Sequence, residues 1–241
     1  MLELNGKIDR AALAARFRTD GRVQVPDVLT QGCAEALRAL LLRGTPWQLA
    51  WQAGEASPVQ TIPNRLLSAP EGQARAGEAG AATDAAARSG DYAFRFANYP
   101  ILTAYLEGWD RGGPHEAIIE SLNGEEVLAL VREITGIPEL IKADAQASLF
   151  APNHFLGRHT DAHKDQSWRV AYVLNLAPDN WHTDWGGYLQ FFDENGDIVW
   201  GWRPRFNVLN LFAVPCAHSV SYAAPFAVPE RIAITGWFRD R

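Results

Sequence analysis

Arg231-Ile232-Ala233-Ile234-Thr235-Gly236-Trp237-Phe238 alternates with the period of a β-strand. Residues 231, 233, 235 and 237 share one face, and 232, 234 and 238 share the other. The second set is apolar and suits a packed face between a sheet and helices. Arg231, Thr235 and Trp237 then point to the opposite side, the interior of a sheet that curls on itself. An inward guanidinium is costly unless a carboxylate pairs with it. The partner is either one of the chain's own acids or a bound one.

Outward from this strand, residues 145–150, 169–176, 188–192, 197–202 and 207–214 read as further short strands. Turn signals separate them: Ala-Pro-Asn at 151–153, Ala-Pro-Asp-Asn at 177–180, Glu-Asn-Gly-Asp at 194–197 and Arg-Pro-Arg at 203–205. Short strands with no helix between them indicate a β-sandwich or jelly roll rather than a parallel α/β sheet. Upstream, Ile8, Ala12, Leu13 and Phe17 give residues 7–18 a helical period, which Gly21 ends. Residues 23–25, 47–52 and 92–96 read as strands. Thr30 is a candidate N-cap for a helix through Leu42, with Gly44 as its C-cap signal. Residues 114–136 read as two helices broken near Asn123-Gly124, and the Ala- and Gly-rich stretch 70–90 as either a solvated helix or a loop. The expected fold is α+β with a mainly β core, in one domain over residues 1–241. Residues 1–140 form mostly helical support and 141–241 the jelly-roll core.

Composition narrows the class. Nearly half of the 241 residues are hydrophobic, and the formal charge is -6. The acidic balance disfavours a nucleic-acid surface. No apolar run reaches the ~18 residues of a membrane span. No basic stretch followed by an apolar one marks a secretory signal. Cys33 and Cys216 are the only cysteines; they make no disulfide framework, so a cytoplasmic setting is expected.

His159-Thr160-Asp161 and the later His218 are the candidate metal ligands. An i, i+2 spacing on a strand puts His159 and Asp161 on one face, and a jelly roll can bring His218 to them. Two imidazoles and one carboxylate suffice to hold Fe(II) on one face and leave the other open. The same set suits Zn(II) with one bound water, in a hydrolase or a non-catalytic metal-binding jelly roll. That alternative leaves Arg231 unexplained.

In order along the chain come Phe155-Leu-Gly-Arg-His159-Thr-Asp161, Arg169-Val-Ala-Tyr-Val-Leu-Asn-Leu176, Asp184-Trp-Gly-Gly-Tyr-Leu-Gln-Phe191, Asn207-Val-Leu-Asn-Leu-Phe212, His218-Ser-Val220 and the Arg231 strand. This ordered set resembles the catalytic core of the Fe(II)- and 2-oxoglutarate-dependent dioxygenases, and within them the prolyl-hydroxylase branch. The resemblance implies a double-stranded β-helix (a cupin-like jelly roll) with Fe(II) on His159, Asp161 and His218. It implies 2-oxoglutarate with its distal carboxylate on Arg231, and Thr235 and Trp237 in the same pocket. O2 is then the co-reactant and ascorbate an attendant reductant. The implied reaction is hydroxylation of a prolyl residue in a protein or peptide, with release of succinate and CO2. A free amino acid or metabolite is the alternative substrate. The family often places a tyrosine on the second core strand to share the carboxylate. Here Asn175 stands at that position, and Tyr172, three residues earlier, replaces it only after a register shift; Asn175 is preferred. The alkylation-repair branch carries a second arginine where this chain has Trp237, which again disfavours nucleic acid. Halogenases of this class lack the carboxylate that Asp161 supplies.

Trp181, Trp185, Trp200 and Trp202 form a cluster in sequence, with Trp200 and Trp202 on one strand face. An aromatic groove suits extended, proline-containing peptides, so these four are the expected substrate groove. Their alternative is core and rim packing. His163 reads as rim or solvent, and His154 and His182 as loop residues. Arg158 and Lys164 flank the metal motif, and Cys216 reads as a small buried apolar residue.

Overall fold

The computed structural model describes residues 2–162, 167–228 and 230–241. His163 and Lys164 therefore lie outside the described residues. The helices are α1 (Arg10–Asp20), α2 (Gln31–Gly44), α3 (Asn64–Leu67), α4 (Pro70–Arg88), α5 (Ile101–Glu107), α6 (Pro114–Leu122) and α7 (Glu125–Thr135). The N-terminal strands are β1 (Arg22–Pro26), β2 (Gln48–Ala53), β3 (Gln60–Ile62) and β4 (Ala93–Tyr99). The later ones are β5 (Lys142–Ala143), β6 (Gln146–Phe150), β7 (Phe155–His159), β8 (Trp168–Leu176), β9 (Leu189–Phe192), β10 (Ile198–Trp202), β11 (Phe206–Ala213), β12 (His218–Val220) and β13 (Arg231–Arg239).

Local chemistry explains the main boundaries. Asp9 caps α1 by accepting from the Ala12 N–H, and Gly21 closes it at φ 64°, where a Cβ would be strained. The helix expected from Thr30 begins at Gln31, but the Thr30 hydroxyl donates to Glu3 Oε2 instead of capping it. Gly44 is the last residue of α2 rather than its cap. Residues 70–88 are helical, begun by Pro70 at a position where its missing N–H costs nothing. The α7 face carrying Val127, Leu128, Leu130, Val131 and Ile134 is buried. Each such side chain contributes about 1.5–3 kcal/mol.

All strand pairs are antiparallel, in the order β1-β11-β8-β13-β6-β4-β7-β12-β9-β10; β2 pairs with β3 and β4, and β5 with β13. The sheet curls into a half-barrel of the double-stranded β-helix type. On β13, Ile232, Ile234 and Phe238 join the main core with the helices. Arg231, Thr235 and Trp237 line the cavity on the other face. Gly236 lets β13 pass close to its neighbour, since a Cβ there would meet Asp144 O at 2.3 Å.

The N-terminal half carries all seven α-helices of the described residues, and its strands join the sheet. β1 covers the edge of β11, and β4 stands between β6 and β7. An uncovered sheet edge is a template for pairing with another chain; β1 covers that of β11, and β4 covers those of β6 and β7.

Candidate active site

β7 ends at His159, and β12 begins at His218 directly opposite it in the ladder. Asp161 follows β7 at φ 54°, a left-handed conformation that Asp tolerates better than most residues. This bend turns its carboxylate back between the two imidazoles. His159 Nε2 lies 3.3 Å from Asp161 Oδ1, and His218 Nε2 lies 3.4 Å from Asp161 Oδ2. One ligand atom from each of the three residues falls within 4.8 Å of the others.

Each imidazole is held by its other nitrogen. His159 Nδ1 bonds to Gly157 O at 2.9 Å, and His218 Nδ1 to Cys216 O at 2.7 Å. A carbonyl can only accept, so Nδ1 carries the proton and the Nε2 lone pair is free for a metal. Burial, with His159 beside it, pulls His218 down to about 4, against the opposing pull of Asp161. His218 is thus neutral and ready to ligate at pH 7. For Asp161, burial alone would raise the carboxyl. The adjacent imidazoles and the Trp237 N–H, which donates to Asp161 Oδ2, outweigh it and hold the group below its usual range.

The three ligands open on a cavity of about 840 Å³. Tyr92, Phe94, Phe96, Phe150, Trp168 and Trp237 supply its aromatic lining, and the exposed Glu55, Val59 and Arg158 its rim. In this cavity Arg231 is 1 % exposed and sits with its guanidinium 4.9 Å from the Phe150 ring centroid. Its Nε and Nη1 have no protein partner. Burial lowers Arg231 to about 10, so it remains a cation at neutral pH. Gly187, at φ 69°, lies against it; a Cβ there would stand 3.3 Å from both Arg231 Cδ and Trp181 Cζ2.

The implied group fits these residues. A buried guanidinium with two nitrogens lacking acceptors requires an anion. In the same cavity lies a donor set of two imidazoles and a carboxylate, the set that suits non-haem Fe(II). A dicarboxylate cosubstrate matches both ends.

A family model described as the 2OG-Fe(II) oxygenase superfamily matches residues 145–239, which contain all four of these residues. Residues 145–239 belong to the 2OG-Fe(II) oxygenase superfamily. A search of curated protein sequences returns no match. Among solved structures, the chain is similar to a prolyl-4-hydroxylase of Pseudomonas putida, at TM-score 0.58 and 18% identity over 100% of this chain and 99% of that one. It is similar to a prolyl hydroxylase of Trichoplax adhaerens in complex with a hypoxia inducible factor peptide fragment, at TM-score 0.62 and 17% identity over 96% and 89%. It also resembles the non-heme alpha ketoglutarate dependent epimerase SnoN from nogalamycin biosynthesis, at TM-score 0.53 and 15% identity over 94% and 80%. At these identities the likeness is one of fold.

Several expected positions of the oxygenase domain lie elsewhere. Asn175 is buried, does not line the cavity, and donates to the Val173 and Val208 carbonyls. Tyr172 borders the cavity but packs in the helix-side core, where its hydroxyl donates to Asp144 O at 2.7 Å. The resemblance implied that one of them shares the distal carboxylate with Arg231; the Tyr172 hydroxyl and the Asn175 amide N–H groups bond to backbone carbonyls instead.

The tryptophan groove is corrected outright, because none of the four lines the cavity. Trp181 is buried and donates to Gly186 O, and Trp185 packs against it edge-on. Trp200 and Trp202 keep regular register opposite Phe191 and Leu189 on β10, at the end of the strand order. Trp202 packs inward on Phe191, and Trp200 is exposed. Phe94 and Phe96 of β4, with Tyr92 just before it, supply part of the cavity's aromatic lining instead. Their signal was present in the alternation of Tyr92, Phe94 and Phe96. His154 is also structural: its Nδ1 accepts from the Ala151 N–H, and burial lowers it to about 4.

Proposed function

We propose that this protein is an Fe(II)- and 2-oxoglutarate-dependent hydroxylase of a prolyl residue in a protein or peptide. The observation that carries the cosubstrate is Arg231, a buried cation with two nitrogens lacking acceptors in the cavity that holds the triad. A zinc hydrolase or a passive metal site gives that charge nothing to bind.

When bound, Fe(II) and 2-oxoglutarate would let O2 hydroxylate an unactivated C–H bond, one oxygen atom going to the substrate and the other to succinate as CO2 is released. The chain's own residues do the positioning. His159, Asp161 and His218 hold the metal by one face. Arg231 grips the distal carboxylate, with the Thr235 hydroxyl on the same strand face. Phe94, Phe96 and Phe150 keep water from the reacting centre and present an apolar wall to a pyrrolidine ring. O2 enters as co-reactant, and ascorbate as reductant rests on the family chemistry alone.

Two observations favour a peptide over a metabolite. The cavity opens to solvent at an exposed rim, and α4 packs on β2, β3 and β4 without lining or lidding the cavity. The prolyl hydroxylases among the structural neighbours point the same way, while the epimerase keeps the small-molecule reading in view. Anaerobic addition of Fe(II) and 2-oxoglutarate should give a visible charge-transfer band; its absence would sink the proposal. Proline-containing peptides should then gain one oxygen. If only free metabolites stimulate succinate release, the prolyl assignment is wrong and the cofactor assignment stands.

A further inference from the structure

The cavity holds a second polar feature that neither the triad nor Arg231 uses. On β4, Phe94, Phe96 and Asn98 alternate onto the cavity face, and Asn98 pairs in register with Ser148 of β6. Asn98 Nδ2 donates to Gln146 Oε1 at 3.3 Å. Gln146 in turn stands opposite Thr235 of β13. Asn98 Oδ1 is buried and has no donor. Among the described residues no acceptor engages Gln146 Nε2, and Ser148 is already spent on Ala233 O.

A buried acceptor without a donor is destabilising, and folded proteins leave few of them. The dicarboxylate cannot answer Asn98 Oδ1, because a carboxylate has no proton to give. What the pair lacks is an N–H for Asn98 Oδ1 and a carbonyl for Gln146 Nε2. That combination is an amide group.

We infer that Asn98 and Gln146 form an amide-reading subsite for the substrate backbone. A peptide N–H donates to Asn98 Oδ1, and a peptide carbonyl accepts from Gln146 Nε2. The pair fixes the chain beside the metal through a group that every peptide carries, and leaves the aromatic wall to select the side chain. The inference rests on the reading of this cavity as an oxygenase site. It does not rest on the substrate residue being proline.

The test uses the full chain loaded with Mn(II) and 2-oxoglutarate without oxygen. The probe is an equimolar mixture of acetylated, amidated tetrapeptides, half of them containing proline, together with the free amino acids. Retained compounds are read by mass spectrometry for wild type, Asn98→Leu and Gln146→Met. The expected result is retention of peptides by wild type and a loss of about tenfold in each variant, the size of one or two hydrogen bonds. Affinity for 2-oxoglutarate should stay within about twofold. Thermal stability of Asn98→Leu should be equal to or above wild type, since an orphaned acceptor is removed. Equal retention by wild type and Asn98→Leu overturns the inference. So does a parallel loss of 2-oxoglutarate affinity, which would give the pair to the cosubstrate, or a fall in stability with retention unchanged, which would make it structural. Retention of proline-free peptides alone, lost in both variants, supports the subsite and rejects the prolyl assignment.

Discussion

The indole N–H of Trp237 donates to Asp161 Oδ2 at 2.9 Å, and the Trp237 ring stacks on Trp168 at 4.0 Å and 7°. A strand residue from the sheet thereby orients a carboxylate that sits on an irregular bend 76 residues away in sequence. Partners of metal ligands typically change metal affinity about 10–100-fold when removed. Trp237→Phe keeps the stacking surface and loses the N–H. Fe(II) or Mn(II) affinity should fall about tenfold with the fold intact, as read by metal titration and circular dichroism. Unchanged affinity would mean that the bend alone sets the Asp161 orientation.

Arg231 should show opposite signs for stability and binding. It is buried with unpaired N–H groups, so Arg231→Met should leave the ligand-free protein as stable or more stable. The same change should weaken 2-oxoglutarate at least about 100-fold, the scale of a lost bidentate ion pair, with metal affinity unchanged. Thermal melts with and without 2-oxoglutarate test both: the ligand should raise the wild-type midpoint and leave that of the variant unmoved.

His154 predicts a pH dependence. Its folded-state value is about 4 against 6.5 for the free side chain. Between these values the unfolded chain binds a proton that the folded one does not, so stability is full above about pH 6.5 and falls as pH drops towards 4. The loss attributable to His154 is at most about 3 kcal/mol. Urea unfolding at several pH values in this window should show the slope, and His154→Gln should reduce it, leaving the part that the similarly lowered His218 contributes.

Tyr172→Phe separates the two faces of β8. Its hydroxyl donates to Asp144 O, so the change should cost about 1 kcal/mol of stability and leave 2-oxoglutarate affinity as it was. A large loss of cosubstrate affinity would return the phenol to the carboxylate.

What was legible in the sequence follows the range of the signals. The inward face of β13 could be read because period-two alternation is local and Gly236 does not disturb it. The metal ligands could be proposed because their residue types are rare and their order is that of a family. The groove could not be read from Trp200 and Trp202, because alternation places them on one face of β10 but does not say that β10 ends the strand order, away from the cavity. Asn98 was missed because the β4 strand was stopped at Phe96; three more residues of alternation would have put it beside the phenylalanines. The place of β4 in the sheet was not readable at all, since a strand's own residues do not name its neighbours.

β4 pairs with β2, β6 and β7, and so joins the two halves of the curled sheet. The 145–239 segment recognisable as an oxygenase therefore does not contain every strand of its own sheet. Cut from the rest, it would lose the Phe94 and Phe96 side of its cavity and leave β6 and β7 with open edges, the surfaces along which chains aggregate. Catalytic ancestry and cooperative stability have different boundaries in this protein. The second extends through the helical half to enclose a strand that the first does not contain.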